Sequence, residues 1–470
     1  MSITSGEIIA EFAENPLFSD ASEDEMILLG SPYRRPTRNF DNRFINFDKP
    51  LGKEELASNG SLSTHRLLLN IYESDMLFLP KDGSSAALAS MRRFYSHENS
   101  LRAERARSIL ERKAFTFLDR EVEIVGAWSG EMVVQYFEKY LDAEKSSARR
   151  GVEADPVLAK IVAARDPASL ARHYLIQLAA DFLTEASAMA RNITGNYGDL
   201  QSSLFNILID EYGAGVHARK HSTLFEDTLE SLAMHVDVHA YWQFYHAGSL
   251  ALINYFHYLT KNKALFFRYL GALFFTEASL VNTAKRQSTM LRSVFGDTVD
   301  RTYFDEHQHI DQHHGDMALN RLVVPALERF GDSVAGEIML GFEQFRQLQH
   351  EADLDLLAQF EWADDLERYK DRAAELYAKI KSGQIDAALE TFVEPRAERS
   401  TTHAHPDDRL LVIERGAMDF WPLYGEPMHL EEGALMYIPR HRLHGSVVRS
   451  AECVYHQPVV ADIHPMAAVA

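Results

Sequence analysis

The sequence predicts a multidomain α + β protein with an all-helical body followed by a small β-domain. Apolar residues at helical spacing fill successive long stretches from about residue 126 to about residue 378, without strand-like alternation. Beyond that point, short β-rich runs such as RLLVIERG and GALMYIPR alternate with turn residues. We therefore expect three regions: a helical region at 1–125, a helical body at 126–380 and a β-domain at 381–470.

Composition limits the partners and the metal chemistry of the chain. The 48 Lys and Arg against 69 Asp and Glu give a net charge of −21, which argues against nucleic acid or an anionic membrane as the main partner. No signal-like N-terminus and no long uncharged apolar segment are present, so we expect a soluble, cytoplasmic protein. The single cysteine, Cys453, excludes an internal disulfide and a thiolate-only metal site. Metal ligands must therefore be nitrogen and oxygen atoms, and 21 histidines supply them.

Helical patterns recur along both of the first two regions. In region 1–125 the strongest are at 63–80 and 100–125, and because this region carries no ligand cluster we expect it to provide packing or dimerisation surface. In the body, the predicted helices are 168–193, 202–212, 222–236, 240–260, 264–296 and 303–322.

The segment 303–322 holds four histidines and four acids. At about 100° per residue, His307, Asp311 and His314 fall within roughly 60° of one another on a helix, whereas His309 and His313 point elsewhere. Imidazole nitrogen and carboxylate oxygen on one helix face are suitable ligands for Fe(II), Mn(II) or Zn(II). Taken alone, the same composition also fits a solvated, acid-rich helix face.

Two similar phrases, FLTEAS around Glu185 and FTEAS around Glu277, form an internal repeat. We expect each glutamate in the middle of a strongly apolar helix, where a carboxylate is costly unless it is paired or bound to a cation. Helical bundles build carboxylate-bridged dimetal sites from such residues on facing helices. The alternative is that both glutamates bind core arginines or histidines.

A further candidate pair lies between the two repeats. Gly213 and Gly215 should break the helix, so that Glu211 and His221 can lie on different segments and still face one centre. His217 competes with His221, which we favour because it directly opens the next helical pattern.

His235 and His239, four residues apart with Asp237 between them, are a rival ligand pair. We expect these histidines to line a helix end or to support the pocket rather than to bind the metal directly.

The order Glu, Glu–x9–His, Glu, His–x3–Asp–x2–His on successive helices resembles the heme-oxygenase-like diiron oxidases, which are seven-helix folds that bind two irons rather than heme. The extra carboxylate, Glu211, is similar to that of the N-oxygenase branch of this superfamily. The matching positions, which the resemblance makes iron ligands, are Glu185, Glu211, His221, Glu277, His307, Asp311 and His314.

The β-domain carries both motifs of a cupin barrel. His403 and His405 begin H-x-H-x3-E-x6-G, with Arg409 at the usual glutamate position and Gly416 at its end. Alternate residues of a strand point to one side, so both histidines should face the barrel interior.

The second motif, G-x5-P-x-G-x2-H, starts at Gly433 and ends at His444, with His441 at the middle glycine position. Three histidines leave coordination positions open for substrate or dioxygen. Because Arg409 cannot replace a carboxylate ligand, a non-catalytic cupin with a structural metal is the alternative.

A helical N-terminal region, a diiron body and a cupin in one chain are similar to the N-nitrosourea-forming enzyme family of streptozotocin biosynthesis, across essentially the whole chain. Phrases such as NYFHYLTKNKALFFRYLGAL carry this resemblance beyond the ligands. It implies a homodimer formed through the N-terminal region and an amino-acid substrate, Nω-methyl-L-arginine. It further implies two irons that hydroxylate this substrate at Nδ and then at the methylated Nω, with O2 as cosubstrate and an external reductant. The single cupin iron would then rearrange the product to an N-nitrosourea.

Two other functions fit the sequence. The first is a diiron N-oxygenase of another amine or guanidine, giving a hydroxylamine or nitro product, with a non-catalytic cupin. The second is a non-catalytic metal-binding sensor, against which the paired Glu185 and Glu277 count because inward polar ligands in an apolar bundle are hard to explain without redox chemistry.

Overall fold

The computed structural model describes residues 3–15, 30–33, 35–81, 83–122, 124, 126–147, 150–196, 198–384 and 391–460. Within these ranges, the side chains of five helical residues are not described, namely Asn39, Phe40, His309, Asp311 and Gln312. The predicted ligand Asp311 therefore lies outside the described side chains.

The described chain is helical up to residue 381 and consists of strands from residue 391. A π-helical turn, Ala318–Val323, continues the fourteenth helix. The helices are α1 (Ser5–Ala13), α2 (Asn39–Asn42), α3 (Asn59–Tyr72), α4 (Ser85–Phe94), α5 (His97–Phe115), α6 (Leu118–Glu121), α7 (Gly130–Ser147), α8 (Pro156–Ala163), α9 (Pro167–Phe182), α10 (Asp199–Glu211), α11 (His221–Ser231), α12 (Ala247–Lys261), α13 (Phe266–Phe295), α14 (Thr302–Met317), α15 (Val324–Phe330), α16 (Ala335–Asp364) and α17 (Leu366–Lys381).

The N-terminal region is built into the same core as the body. Every residue of α3 from Ser61 to Tyr72 is buried, and the helix packs against α5 and α12. Apolar residues of α3 and α5 share one hydrophobic cluster with α12, α13 and α16. Region 1–125 therefore shares its hydrophobic core with the body.

The long helix α13 is the centre of the body and packs against α14 and α16. It is the one described helix that is long and apolar enough to cross a membrane, but 56% of its apolar window is buried inside the protein, as is typical of a core helix. Gly271 lets it approach α16 closely, because an added Cβ would lie 1.8 Å from the carbonyl oxygen of Ile338.

Three predicted helices of the body are shorter than the sequence pattern indicated. The helix predicted at 168–193 ends at Phe182, where the Thr184 amide turns back to the Asp181 carbonyl, and Glu185 lies in the irregular turn that follows, beside left-handed Ala186 (φ 60°). The expectation that Glu185 sits in the middle of a helix was therefore wrong.

The other two boundaries have similar causes. The helix predicted at 222–236 ends at Ser231, just before Ala233 (φ 56°). The helix predicted at 240–260 begins only at Ala247, because His239 (φ 62°) turns the chain before it. The segment between these residues binds distant backbone instead: the Trp242 indole donates a hydrogen bond to the carbonyl of Pro36.

The β-domain has two antiparallel four-stranded sheets, with strand orders β1-β8-β3-β6 and β2-β7-β4-β5. Its strands are β1 (Thr391–Pro395), β2 (Arg399–His403), β3 (Arg409–Arg415), β4 (Ala417–Trp421), β5 (Met428–Glu431), β6 (Leu435–Ile438), β7 (His444–Val448) and β8 (Glu452–His456). Both motif glycines, Gly416 (φ 93°) and Gly433 (φ 85°), need left-handed backbone, and His441 adopts it (φ 63°) at the middle glycine position. The predicted α + β fold class is confirmed.

The close crossing of α13 and α16 gives a stability prediction. Gly271→Ala should destabilise the protein by about 3 kcal/mol or more, because two backbones must move apart to admit the methyl group. Gly336→Ala, on α16 with nothing within 4 Å of the added Cβ, is the matched control and should be neutral or stabilise by up to about 1 kcal/mol. Thermal unfolding of the two variants measures both effects, and equal Tm values would contradict the close-packing account.

Candidate metal centres

A first donor cluster forms where four segments of the helical body meet. Its residues are Glu185 in the turn after α9, Glu211 at the end of α10, His221 at the start of α11 and His307 on α14. One nitrogen or oxygen atom from each residue lies within 4.8 Å of the other three. The break at the glycines between α10 and α11 is what allows Glu211 and His221 to face each other.

A second cluster shares one residue with the first. Glu277 in the middle of α13 and His314 on α14 converge on Glu211, again within 4.8 Å. The two oxygens of Glu211 face different histidines: Oε2 lies 2.6 Å from His221 Nδ1, and Oε1 lies 3.2 Å from His314 Nδ1. A carboxylate that faces two donor sets in this way has the arrangement of a bridging ligand.

The donor atoms of the first cluster would be better satisfied by a metal ion than by their contacts with one another. Glu185 Oε2, Glu211 Oε2 and His221 Nδ1 are buried without a hydrogen-bond partner, and the 2.6 Å approach of the last two lacks hydrogen-bond alignment. Unmade hydrogen bonds of buried polar atoms cost about 1–3 kcal/mol each. A set of imidazole nitrogens and carboxylate oxygens suits iron among the common metals.

Neighbouring groups orient two donor residues of the first cluster. The backbone carbonyl of Tyr303 accepts a hydrogen bond from His307 Nδ1 (2.7 Å), which leaves Nε2 of that ring directed at Glu185. The Tyr303 hydroxyl donates to Glu185 Oε1 (2.7 Å). Burial and the Glu185 charge raise the pKa of Tyr303 well above its usual value, so the phenol stays a neutral donor.

Charge coupling within the first cluster is strong in the metal-free protein. Burial favours the neutral form of Glu211, but the close imidazoles of His221 and His314 outweigh it and hold the pKa of the carboxyl well below its usual range. Burial likewise opposes the charged form of His221, and its contact with Glu211 nevertheless raises the pKa of the imidazole.

Two carboxylates near the clusters were missed by the sequence analysis. Asp181, four residues before Glu185, makes no side-chain hydrogen bond or ion pair with any described residue. Burial, followed by the charges of Glu185 and Glu73, raises the pKa of Asp181 to about 7. Asp210 Oδ2 lies 3.4 Å from His314 Nε2 and supports that ring. Only the four-residue spacing to Glu185 signals Asp181 in the sequence.

The competing histidines lie away from both clusters. His217, in a short 3-10 turn, is exposed, and His313 is exposed on α14. His235 is also exposed, whereas His239 is buried and contacts Glu73 at 2.7 Å.

The three cupin histidines form a separate cluster. His403 at the end of β2 pairs in register with His444 at the start of β7, and His405 joins them with its donor nitrogen within 4.8 Å of theirs. Nδ1 of His403 contacts the carbonyl of Thr401 and Nδ1 of His444 contacts that of Arg442, each at 2.9 Å. Because a carbonyl only accepts, both Nδ1 atoms carry the proton and both Nε2 atoms are available to a metal.

All three cupin imidazoles are neutral at neutral pH. Burial lowers the pKa of His444 to about 4. Burial, followed by the neighbouring His444 imidazole and the charge of Arg409, lowers the pKa of His405 to about 2. Burial and Arg38 lower the pKa of His403 well below its usual value. Nε2 of His444 is buried without a hydrogen-bond partner, which again fits a metal ligand. Arg409, at the glutamate position, donates to the carbonyl of Gln457 (3.1 Å).

The fold and these donor sets define a non-heme metalloenzyme with a cupin appended to a helical body. Residues 172–350 match the heme-oxygenase-like family model described as "iron-containing redox enzyme", and residues 390–455 match that of the cupin domain. The chain is also 44% identical over 454 residues to the nitrosourea synthase of Streptomyces achromogenes subsp. streptozoticus, covering 97% of this chain and 95% of that relative. The chain belongs to the nitrosourea synthase family and is an iron-containing oxidoreductase with a small-molecule substrate.

The Glu211–His221 pair gives a pH prediction for the metal-free protein. The depressed pKa of Glu211 stabilises the fold above pH 4.5, and the raised pKa of His221 stabilises it below pH 6.5. The unfolding free energy lost in Glu211→Gln should therefore be largest between pH 4.5 and 6.5 and should shrink on either side of this window. Denaturant unfolding across pH measures it, with Asp210→Asn as the control. A pH-independent difference would contradict the coupling.

Proposed function

We propose that this protein hydroxylates guanidine nitrogens of Nω-methyl-L-arginine, or a close arginine derivative, and rearranges the product to an N-nitrosourea. The observation that carries the proposal is that Glu211 joins two donor sets while a separate three-histidine set lies in the same chain. The name of the relative, nitrosourea synthase, supports the final product.

We assign the iron ligands of the helical body from its two donor clusters. We assign one iron to Glu185, His221 and His307, and a second to Glu277 and His314, with Glu211 shared. Asp311, one helical turn from both His307 and His314, is proposed as a further ligand. The irons, supplied with electrons by an external reductant, activate O2, and the buried donors keep water away from that chemistry.

The charge around the helical centre favours a cationic substrate. Asp181 is half-buried and has no cationic partner among the described residues, and its neighbours Glu185 and Glu73 are acidic. A guanidinium group that entered this site would supply the missing positive charge and pair with the carboxylate in planar, two-point geometry. Asp181 is therefore the residue we propose to hold the guanidinium near the irons.

In the cupin, the three histidines and Arg409 suit the second step, the rearrangement to the N-nitrosourea. Three neutral imidazoles leave open positions on a single iron, so that a hydroxylated guanidine and O2 can bind together. Arg409 places a positive charge where many cupins have a ligand carboxylate, and this charge favours an anionic group of the substrate beside the histidines.

We also propose that the protein works in the cytoplasm as a homodimer, with a second copy covering an apolar patch of the N-terminal region. Leu77 and Leu79 are 69% and 68% exposed, and Leu88 on the following helix α4 is 38% exposed. Of the ten residues of α4, only Phe94 is buried. An apolar surface of this kind on a soluble chain is typical of an interface.

Variants at the two centres test the division of the reaction. His314→Ala should abolish hydroxylation and leave metal in the cupin, because it removes a ligand of the helical centre only. His405→Ala should leave hydroxylation intact and let the hydroxylated amino acid accumulate. Mass spectrometry of the products distinguishes these outcomes.

The controls are the exposed histidines His313 and His429, whose replacement by Ala should change neither step. Hydroxylation retained in His314→Ala would overturn the helical assignment, and unchanged nitrosourea in His405→Ala would show that the cupin does not form the N–N bond.

The dimer is tested at its apolar patch. Leu79→Asp should halve the mass measured by light scattering after size exclusion, because a buried aspartate without a partner disfavours association. Val393→Asp, at a similarly exposed valine (60%) of the β-domain, is the control and should stay dimeric. A Leu79→Asp protein with the mass of the wild type would place the interface elsewhere or rule it out.

A further inference from the structure

Helix α16 of the body reaches into the cupin and holds the strand that carries His444. The Gln359 side chain is fully buried and binds both backbone groups of Leu443: Oε1 accepts from its amide (2.9 Å) and Nε2 donates to its carbonyl (2.8 Å). The same Nε2 also donates to the carbonyl of Pro422 (2.6 Å). One amide from the body thus fixes the residue immediately before a cupin histidine.

One turn earlier on α16, Asp355 holds Arg442, the residue before Leu443. The Arg442 guanidinium donates to the Asp355 carbonyl oxygen (2.8 Å) and lies 3.5 Å from its carboxylate. Arg442 in turn supplies the carbonyl that holds the proton of His444 on Nδ1 (2.9 Å). Both charged residues are buried, so the pair would be costly to separate.

Asp355 is itself held by a chain of buried histidines. The backbone amide of Tyr424 can only donate to His173 Nδ1 (3.2 Å), so the neutral His173 carries its proton on Nε2 and donates to His246 Nε2 (3.0 Å). His246 Nδ1 lies 3.7 Å from the Asp355 carboxylate.

The other ligand-bearing strand is held in a comparable way. Arg66 on α3 donates to both the carbonyl oxygen and the hydroxyl of Thr402, each at 2.9 Å, and Thr402 directly precedes His403. Arg66 is only 3% exposed and also binds the carbonyl of Gln243 (3.1 Å). Residues outside the barrel therefore hold the chain next to two of the three cupin histidines.

We infer that the cupin metal centre is a composite of barrel and body, in which Gln359 acts as a positioning residue for His444. This inference rests on the proposed function, which places a metal on the three histidines. Gln359 touches neither metal nor substrate; it acts through the backbone of Leu443. Partners that orient metal ligands change metal affinity by about 10- to 100-fold when they are removed.

The test uses the full chain loaded anaerobically with Fe(II) and then exposed to nitric oxide, which gives a mononuclear iron–nitrosyl EPR signal at a single-iron site. Gln359→Leu should weaken Fe(II) binding at the cupin about 10- to 100-fold and change the rhombicity of this signal. Hydroxylation of the amino acid by the helical centre should be unchanged. Gln359→Glu, which keeps an oxygen that can accept from the Leu443 amide, should give an intermediate affinity, and it serves if the Leu variant does not fold.

Gln344→Leu is the matched control, because Gln344 is an equally buried glutamine of α16 whose partners, such as Asp119, lie within the helical part of the protein. It should leave the EPR signal and the cupin affinity unchanged. Equal cupin affinity and an unchanged signal in Gln359→Leu, or an equal loss in Gln344→Leu, would overturn the inference while the proposed function stands. A wild-type signal that survives His405→Ala would overturn the proposed function itself.

Discussion

The shared carboxylate of Glu211 is the contact on which the helical body depends. Its two oxygens face His221 and His314, so that one side chain links the end of α10 and the start of α11 to the last turn of α14. Two buried glutamates, one half-buried glutamate and three buried imidazoles in an apolar bundle lose hydration at a cost of several kcal/mol. Cations between these side chains would remove that cost. The helix is interrupted between α10 and α11, which allows Glu211 and His221 to face each other.

Helix α16 contacts elements that carry the helical donor site and the cupin donor site. This helix packs against α13, which carries Glu277, and its Gln359 holds the backbone beside His444. The cupin is thus a barrel whose interior site is fixed partly from outside. Helix α16 therefore fixes part of the cupin site relative to the helical body.

The sequence revealed the features that depend on local spacing and missed those that depend on distant contacts. Helical periodicity placed His307 and His314 on one face, and the two cupin motifs indicated the three histidines, although β2 ends at His403 and His405 lies beyond it. The repeat around Glu185 indicated a helix, yet the helix ends at Phe182 and the chain turns through left-handed Ala186, which no apolar pattern encodes. The contact of Gln359 joins residues 84 positions apart, and a local pattern carries no signal for it.

The most direct measurement is anaerobic loading of the protein with Fe(II), followed by O2 and a reductant in the presence of Nω-methyl-L-arginine, with the products read by mass spectrometry. We expect iron uptake at all three donor clusters, a gain of one and then two oxygen atoms by the amino acid, and finally a nitroso product. Full iron uptake with no change in this amino acid would contradict the proposed substrate. Oxygen gain without any nitroso product would contradict the role given to the cupin.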